Sequence, residues 1–371
     1  MQEQELIPLT QAVLWSAFAA AAVFGAVAQR THFCTMGAIA DIVNMGDWSR
    51  MRMWVLAIAV AIIGFNTMVG AGWIRAADSL YAEPRLMWLS LLVGGLMFGF
   101  GMVLASGCGS KNLVRAGAGN LKAWVVLLVL GACAFATLKG ITAVARVATV
   151  DRVATELPGH QDLPSMLAAA VGIGTPAAAL GLGLVLGLVL LAWVLRSPDG
   201  RTPMVWLGGV GIGATVVLMW WISGRLGFVA EHPMTLEASF LATNSRRMES
   251  LSMVAPVGFA LDWLLFFSDR SKLLTIGIVS MFGVVAGSAA MALANREFRW
   301  EGFGNVEDTA NHLAGAALMG VGGVTAMGCT IGQGLSGIST LSLGSLLALA
   351  AIVCGALAAL RYQIWRIDRM G

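Results

Sequence analysis

Charged residues are scarce in this sequence. Asp, Glu, Lys and Arg together make up 12% of the chain, whereas hydrophobic residues make up 58% and the mean hydropathy is +0.81. A water-soluble domain carries about a quarter of its residues as charges, because its surface must be hydrated. The shortage of charge therefore excludes a soluble fold and indicates an integral membrane protein.

Motifs for several common chemistries are also missing. No two of the five cysteines form a C-x-x-C pair, so thioredoxin-like and zinc-ribbon sites are excluded, and we predict no metal ion and no other cofactor. A disulfide framework is not expected, since Cys133 and Cys354 lie inside apolar runs and are better interpreted as small core residues. No nucleotide-binding motif is present, which argues against direct use of ATP.

Long apolar runs dominate what the chain does contain. A bilayer core of roughly 30 Å needs about 20 mostly apolar residues per helix, and open sheet edges cannot be satisfied in lipid. The sequence therefore predicts an all-α polytopic membrane protein with about nine transmembrane helices and no strands. The predicted spans are 11–29, 52–72, 87–105, 122–145, 166–195, 204–223, 272–294, 312–328 and 343–361. A tenth run, 251–267, is interrupted by Pro256 and Asp262 and is predicted to be a partial or interfacial helix.

The second half of the chain repeats part of the first at an offset of 221 residues. The matched pairs are Gly99/Gly320, Gly101/Gly322, Val103/Val324, Ala105/Ala326, Gly107/Gly328, Cys108/Cys329 and Cys133/Cys354. Such a match indicates an internal duplication. We predict a first transmembrane repeat at 1–150, a linker helix within 151–200 and a second repeat at 201–371. With one linker helix between them, the second repeat enters the membrane from the face opposite to the first. Two inverted pseudo-symmetric repeats are therefore expected, as in many transporters.

An odd number of crossings puts the two termini on opposite faces of the membrane. A slight excess of Lys and Arg in alternate loops predicts an N-terminus outside the cell and a C-terminus in the cytoplasm.

A weaker internal match, at an offset of 195, pairs Arg30 with Arg225 and Phe33 with Phe228. In that register Val229 stands where the first half has Cys34.

Three segments interrupt apolar helices with glycine, polar residues and one cysteine each. They are RTHFCTMG at 30–37, SGCGSKN at 106–112 and MGCTIGQG at 327–334. Non-helical backbone at membrane depth is tolerated only where it is buried in protein or lines a polar cavity, so these re-entrant helix breaks predict a permeation path. Helix N-termini at such breaks suit an anion. In the alternative interpretation, Cys34, Cys108 and Cys329 are small hydrophobic side chains that happen to lie near glycine.

Candidate path residues other than the cysteines are Arg30, Lys111, Arg115 and Gln333. Arg30 adjoins the first break, and Lys111 and Arg115 lie in or just after the second, where each can draw an anion inward. Gln333 is a polar side chain within the third break. An interfacial role remains open for Arg30 and Arg115, and Lys122 is interpreted as a residue that reaches toward lipid headgroups.

The cysteine-containing segment after the first helix, the GCG of 107–109 with the RAGAGN of 115–120, and the GCTIGQG of 328–334 together resemble the YeeE/YedE sulfur-transport family. The resemblance spans nearly the whole chain. It implies a bacterial inner-membrane protein of two pseudo-symmetric halves that takes up thiosulfate. It also implies that Cys34, Cys108 and Cys329 match three thiols that pass the ion along through weak S–H hydrogen bonds. Sulfite, sulfide and selenium oxyanions remain alternative substrates within the family.

A thiosulfate permease, and not an enzyme, is therefore the function that the sequence favours. A membrane sulfurtransferase that forms a cysteine persulfide would need a reactive thiol beside a base, and only Cys34 has a histidine, His32, nearby in the sequence. The expected partners are a small sulfur anion and the lipid bilayer, with no nucleic acid. Some family members carry a fused TusA-like sulfur-carrier domain; this chain has no CPxP motif, so such a carrier would be a separate polypeptide.

Overall fold

The computed structural model describes residues 3–231, 233, 236–269 and 271–370. Helices account for most of this part of the chain, as the apolar runs predict. The helices are α1 Glu3–Thr31, α2 Thr35–Met45, α3 Ser49–Gly70, α4 Trp88–Leu104, α5 Gly109–Gly117, α6 Leu121–Lys139, α7 Ile141–Ala148, α8 Leu163–Val171, α9 Thr175–Leu195, α10 Pro203–Trp221, α11 Ala255–Leu265, α12 Ile276–Ala294, α13 Val306–Thr325 and α14 Leu343–Met370. Two π-helical segments, Ile222–Leu226 and Gly332–Gly337, extend α10 and precede α14.

Eight helical spans in the described residues are long and apolar enough to cross a membrane, which confirms a multi-pass, all-α membrane protein. The predicted span at 312–328 falls on α13, which has 20 residues. Glu307, Asp308 and His312 lower the hydropathy of its first half, so α13 is not among the eight. The doubtful run at 251–267 is α11, a short apolar helix of 11 residues, as expected.

Two predicted runs are broken, and two small strand pairs occur where none was expected. The run at 122–145 ends at Gly140, after which α7 begins. The run at 166–195 divides into α8 and α9 at Gly172, which is left-handed with φ +76° and ends α8. Strands β1 (Arg85–Leu86) and β2 (Thr155–Glu156) pair antiparallel, as do β3 (Phe228–Val229) and β4 (Ser239–Phe240). These strands are only two residues long and lie in loops, so the argument against strands in lipid is unaffected.

The same order of elements occurs on both sides of α9. Long, short, long, long, short and long segments follow one another as α1 to α6 and again as α10 to α13, the segment Gly332–Gly337 and α14. Each contact between the two series has a counterpart between the equivalent helices. Thus α1 packs on α12 as α10 packs on α3, and α4 packs on α14 as α13 packs on α6. The lone helix α9 packs on α3.

Helices α4 and α13 cross at glycines in a reciprocal manner. A Cβ atom at Gly94 would lie 2.7 Å from the carbonyl oxygen of Gly322, and one at Gly322 would lie 2.7 Å from that of Gly94. Gly101 and Gly315 contact each other equally closely, at 2.7 and 2.6 Å. The offset of 221 relates Gly94 to Gly315 and Gly101 to Gly322, so it exchanges the two contacts. Small residues allow this close approach, as is usual where membrane helices pack.

The two ends of the chain lie at opposite ends of the helical bundle. Helix α1 begins near Leu6 and ends just before His32, which lines a cavity together with Asp308 of α13. Glu307, beside Asp308, is paired with Arg366 near the end of α14. The C-terminal part of α14 is therefore at the end of the bundle where α1 finishes. We name the two ends the Leu6 end and the Glu307 end.

Candidate functional site

The three cysteine-containing breaks share one backbone geometry. In each, the residue two positions before the cysteine is left-handed: His32 has φ 51°, Ser106 φ 53° and Met327 φ 56°. The next residue donates its N–H to the carbonyl five positions earlier. These bonds are Phe33 to Ala28 at 3.1 Å, Gly107 to Met102 at 2.8 Å and Gly328 to Gly323 at 2.8 Å. This is the hydrogen bond of a Schellman motif, which ends α1, α4 and α13.

Each cysteine lies at or just before the start of the next helical segment. Cys34 and Cys108 are the N-caps of α2 and α5, and Cys329 precedes the π-helical segment Gly332–Gly337. The Cys34 sulfur accepts a hydrogen bond from the backbone N–H of Gly37 at 3.3 Å, and the Cys329 sulfur accepts one from Gly332 at 3.4 Å. The thiols of Cys34 and Cys108 therefore lie at helix N-termini, where free N–H groups carry partial positive charge.

Burial separates these three cysteines from the other two. Cys34, Cys108 and Cys329 are 8%, 1% and 0% exposed, whereas Cys133 is half-buried and Cys354 is exposed. The expectation that Cys354 is a core residue is therefore wrong: it lies on an outward face of α14. Charged forms of Cys34 and Cys108 would repel each other, and so would those of Cys108 and Cys329. Cys108 is thus within electrostatic range of both other thiols.

Asn112 and Gln333 brace the second and third breaks. The amide of Asn112 donates to the carbonyls of Gly107 and Cys108 at 2.9 and 3.1 Å. The amide of Gln333 donates to the carbonyl of Ala326 at 2.8 Å. Sequence reasoning selected Gln333 as a path residue but missed Asn112, although the offset of 221 relates the two.

A polar cavity of about 410 Å³ opens at the Glu307 end beside the first two breaks. Lys111 and Arg115 line it, whereas Arg30 is exposed at the end of α1 and does not. Arg115 donates to the carbonyl of the left-handed Ser106 at 2.6 Å. Lys122 is paired with Asp308 at 3.0 Å in this cavity, so it is not simply directed to headgroups. His32, His312 and the carboxylates of Glu297 and Glu301 also line this cavity.

Lys111 differs from Lys122, which is paired with Asp308. It is half-buried, it forms no salt bridge with a carboxylate in the described part of the chain, and it lies within electrostatic range of the thiols of Cys34 and Cys108. A cation beside two thiols, with no carboxylate in direct contact, favours an anion at this position.

A second cavity, of about 270 Å³, lies beside the third break. Met327 and Gly328 line it, together with Asn244 and Glu249 of the loop between α10 and α11. This loop belongs to the Leu6 end, because its residue Leu241 packs against Leu6. Burial raises the pKa of Glu249, although the carboxylate accepts hydrogen bonds from Ser245.

The buried thiols therefore lie between two cavities that open at opposite ends of the bundle. Among the described residues there is no group of three or more metal-ligating side chains. The hydrogen-bond partners of the three thiols are backbone N–H groups and the Ser110 hydroxyl, 3.2 Å from Cys108. No histidine or carboxylate is bonded to a thiol in this part of the chain. The arrangement suits non-covalent contact with an ion better than activation of a nucleophile.

Comparison with known proteins adds an independent observation. Residues 30–358 match the family described as sulphur transport. The chain is 27% identical to the thiosulfate transporter TsuA of Escherichia coli over 85% of this chain and 84% of that protein. It is 27% identical to the thiosulfate transporter TsuA of Spirochaeta thermophila over 92% and 97%. A segment covering 28% of the chain is 32% identical to the probable transporter YedE of Escherichia coli.

The matched region includes all three breaks and extends over most of both halves, so the chain belongs to the sulphur transport family, also known as YeeE/YedE.

Proposed function

We propose that this protein is a permease of the bacterial inner membrane that takes up thiosulfate, or a closely related sulfur anion, through a path lined by Cys34, Cys108 and Cys329. The observation that carries the proposal is the position of these buried thiols, each at a helix break and together between two cavities. The family and the names of the two extensively matched relatives, both thiosulfate transporters, support a sulfur anion as substrate.

The chemistry of the ion fits such a path. Thiosulfate presents a soft, polarizable terminal sulfur, and a neutral thiol is a weak hydrogen-bond donor that can hold it without trapping it. Conduction needs several weak sites in series. The partial positive charge of helix N-termini and the cation of Lys111 favour the negative ion inside the bundle. From the Leu6 end to the Glu307 end, we propose the order Cys329, Cys108 and Cys34.

The proposed architecture is an inverted duplication, with repeats at 1–150 and 201–371 joined by 151–200. It is supported by the equal order of elements and the exchanged glycine contacts of α4 and α13. In this arrangement the Leu6 end faces the periplasm and the Glu307 end the cytoplasm. A separate TusA-like carrier that receives sulfur would then meet the protein at the Glu307 end.

Growth on thiosulfate tests the proposal. A bacterium that lacks its own thiosulfate uptake should grow on thiosulfate as the sole sulfur source only when it carries this gene. Cys108→Ala and Cys329→Ala should each abolish growth while the protein stays in the membrane. Cys133→Ala and Cys354→Ala serve as controls and should leave growth nearly unchanged, because these side chains lie outside the breaks. Equal loss in all four variants would mean that the cysteines act through packing alone.

A further inference from the structure

Three buried hydrogen-bond donors beside the cysteine-containing breaks have no partner among the described residues. They are the hydroxyls of Thr35 and Thr330 and the indole N–H of Trp54. Their side chains are well enclosed, since the residues are 2%, 0% and 7% exposed. Buried polar groups are nearly always hydrogen-bonded, so each of these three needs an explanation.

Other buried threonines of this protein are satisfied locally. Thr31 donates to the carbonyl of Val27 at 2.7 Å, and Thr215 donates to that of Ile212 at 2.7 Å. A threonine in a helix has such a carbonyl within reach as a rule. The lack of any partner for Thr35 and Thr330 is therefore a property of their positions and not of the residue type.

Both orphan hydroxyls directly follow a cysteine of the proposed path. Thr35 follows Cys34 at the first position of α2, and Thr330 follows Cys329. Consecutive Cα atoms are about 3.8 Å apart, so the thiol and the hydroxyl of neighbouring residues can contact different atoms of one small ion. Cys108 is followed by a glycine, but its sulfur is already 3.2 Å from the Ser110 hydroxyl.

Trp54 brings a third donor to the break that contains Cys329. A Cβ atom at Gly334 would lie 3.1 Å from Cζ2 of the Trp54 ring, so the indole packs directly on the π-helical segment. Trp54 belongs to α3 of the first half and Gly334 to the second. Glycine at this position leaves space beside the edge of the ring that carries the N–H group.

We propose that Thr35, Thr330 and Trp54 donate hydrogen bonds to the oxygen atoms of the transported anion while the neighbouring thiols contact its terminal sulfur. The inference rests on the proposed function and deepens it, because it names the features of the substrate that are recognised. An ion with both a soft sulfur and hydrogen-bond-accepting oxygens satisfies both sets of groups. Hydrogen sulfide ion offers no oxygen to the hydroxyls, and sulfate offers no soft sulfur to the thiols.

Direct uptake of radiolabelled thiosulfate by Thr35→Val and Thr330→Val provides the test. Valine keeps the shape of the side chain and removes only the hydroxyl. We expect each variant to take up thiosulfate about tenfold more slowly at low concentration, since a hydrogen bond to a charged group is lost. Thr35→Ser and Thr330→Ser, which keep a hydroxyl, should retain most of the uptake, and Trp54→Phe should behave like the valine variants.

Thermal unfolding of the purified proteins in detergent separates recognition from folding. A hydroxyl that bonds only to the ion has no partner in the ion-free protein, so both valine variants should unfold at the same temperature as the wild type or higher. Thr215→Val is the matched control; it removes a satisfied hydroxyl, so it should lower the unfolding temperature and leave uptake unchanged.

The outcomes distinguish failure of the proposed function from failure of this inference alone. If the wild-type protein takes up no thiosulfate, the proposed function is wrong. If the wild type takes it up and the valine variants do so equally well, the donors do not contact the ion and the inference alone is overturned. Lower unfolding temperatures in Thr35→Val and Thr330→Val would also overturn it, because the hydroxyls would then have structural partners.

Discussion

Asn112 and Gln333, which are 221 positions apart, each donate an amide hydrogen bond to the backbone at their own break. Asn112 reaches the carbonyls of Gly107 and Cys108, and Gln333 reaches that of Ala326. The two side chains differ by one methylene group, yet both stabilise the non-helical backbone next to a cysteine. We interpret them as positioning residues for the two thiols.

Removal of the Asn112 amide should loosen the second break. Asn112→Leu leaves the buried carbonyl of Gly107 without this partner, which should lower the free energy of unfolding by about 1–3 kcal/mol. Thiosulfate uptake should fall as well, because the Cys108 thiol is no longer held in place. Thermal unfolding in detergent and uptake in cells measure the two effects. Gln363→Leu, the same kind of change in a half-buried residue near the end of α14, should alter neither. An Asn112→Leu protein with wild-type stability would show that the brace is unimportant.

Lys111 should be the cation that matters most for uptake. It lies within electrostatic range of two of the thiols, and it forms no salt bridge with a carboxylate among the described residues. Lys111→Met should therefore reduce uptake by about tenfold or more without lowering the unfolding temperature, because a half-buried charge that forms no salt bridge adds little to the stability of the fold. Lys139→Met, at an exposed position where α6 ends, provides the control and should transport normally. If Lys111→Met transports as well as the wild type, the electrostatic part of the proposed path is wrong.

The lengths of the apolar runs predict the long helices, and the offset of 221 relates the helix breaks at Cys108 and Cys329. Both signals are local or pairwise in the sequence. Whether a hydroxyl such as that of Thr330 finds a partner depends on packing between distant segments, and no sequence pattern reports it. The same holds for cations: Arg30 and Lys111 look alike in the sequence, but only Lys111 lines the cavity at the Glu307 end. The breaks at Gly140 and Gly172 were missed because hydropathy does not register a change of helix direction.

Glu249 should make the stability of the protein depend on pH. Burial raises the pKa of this carboxyl above its ordinary value of 4.5, so the folded protein holds the proton more tightly than the unfolded chain. The free energy of unfolding should then decrease as the pH rises above that value. Glu249→Gln, which retains an acceptor for Ser245, should flatten this dependence and unfold at a higher temperature than the wild type at pH near 8.

The opposite sign is expected for Asp47, which provides a control. Hydrogen bonds from Ser49 lower the pKa of Asp47, so its ionised form stabilises the fold at neutral pH and this stabilisation is lost as the pH falls. Asp47→Asn should therefore unfold at a slightly lower temperature at neutral pH. Unfolding temperatures of the wild type and both variants between about pH 4 and pH 8 test the pair. An unchanged slope in Glu249→Gln would show that Glu249 does not titrate differently on folding.

Cys34 should be reached from the cytoplasm and not from the periplasm. Its neighbour His32 lines the cavity at the Glu307 end, which the proposed orientation puts on the cytoplasmic face. In a protein whose other four cysteines are replaced by alanine, a membrane-impermeant thiol reagent should label Cys34 poorly in intact cells and better in inside-out vesicles. Trp73→Cys, an exposed position in the loop after α3 at the Leu6 end, should show the reverse pattern and verify the orientation. Rapid labelling of Cys34 from the periplasm, with Trp73→Cys behaving as expected, would show that Cys34 is not the last of the three thiols on the path.

Cys34→Ser tests whether the sulfur of Cys34 contacts the ion, since serine keeps the size and a hydrogen-bond donor but replaces a soft sulfur with a hard oxygen. Uptake by this variant should fall markedly without loss of folding, and full activity would leave Cys34 with a structural role only.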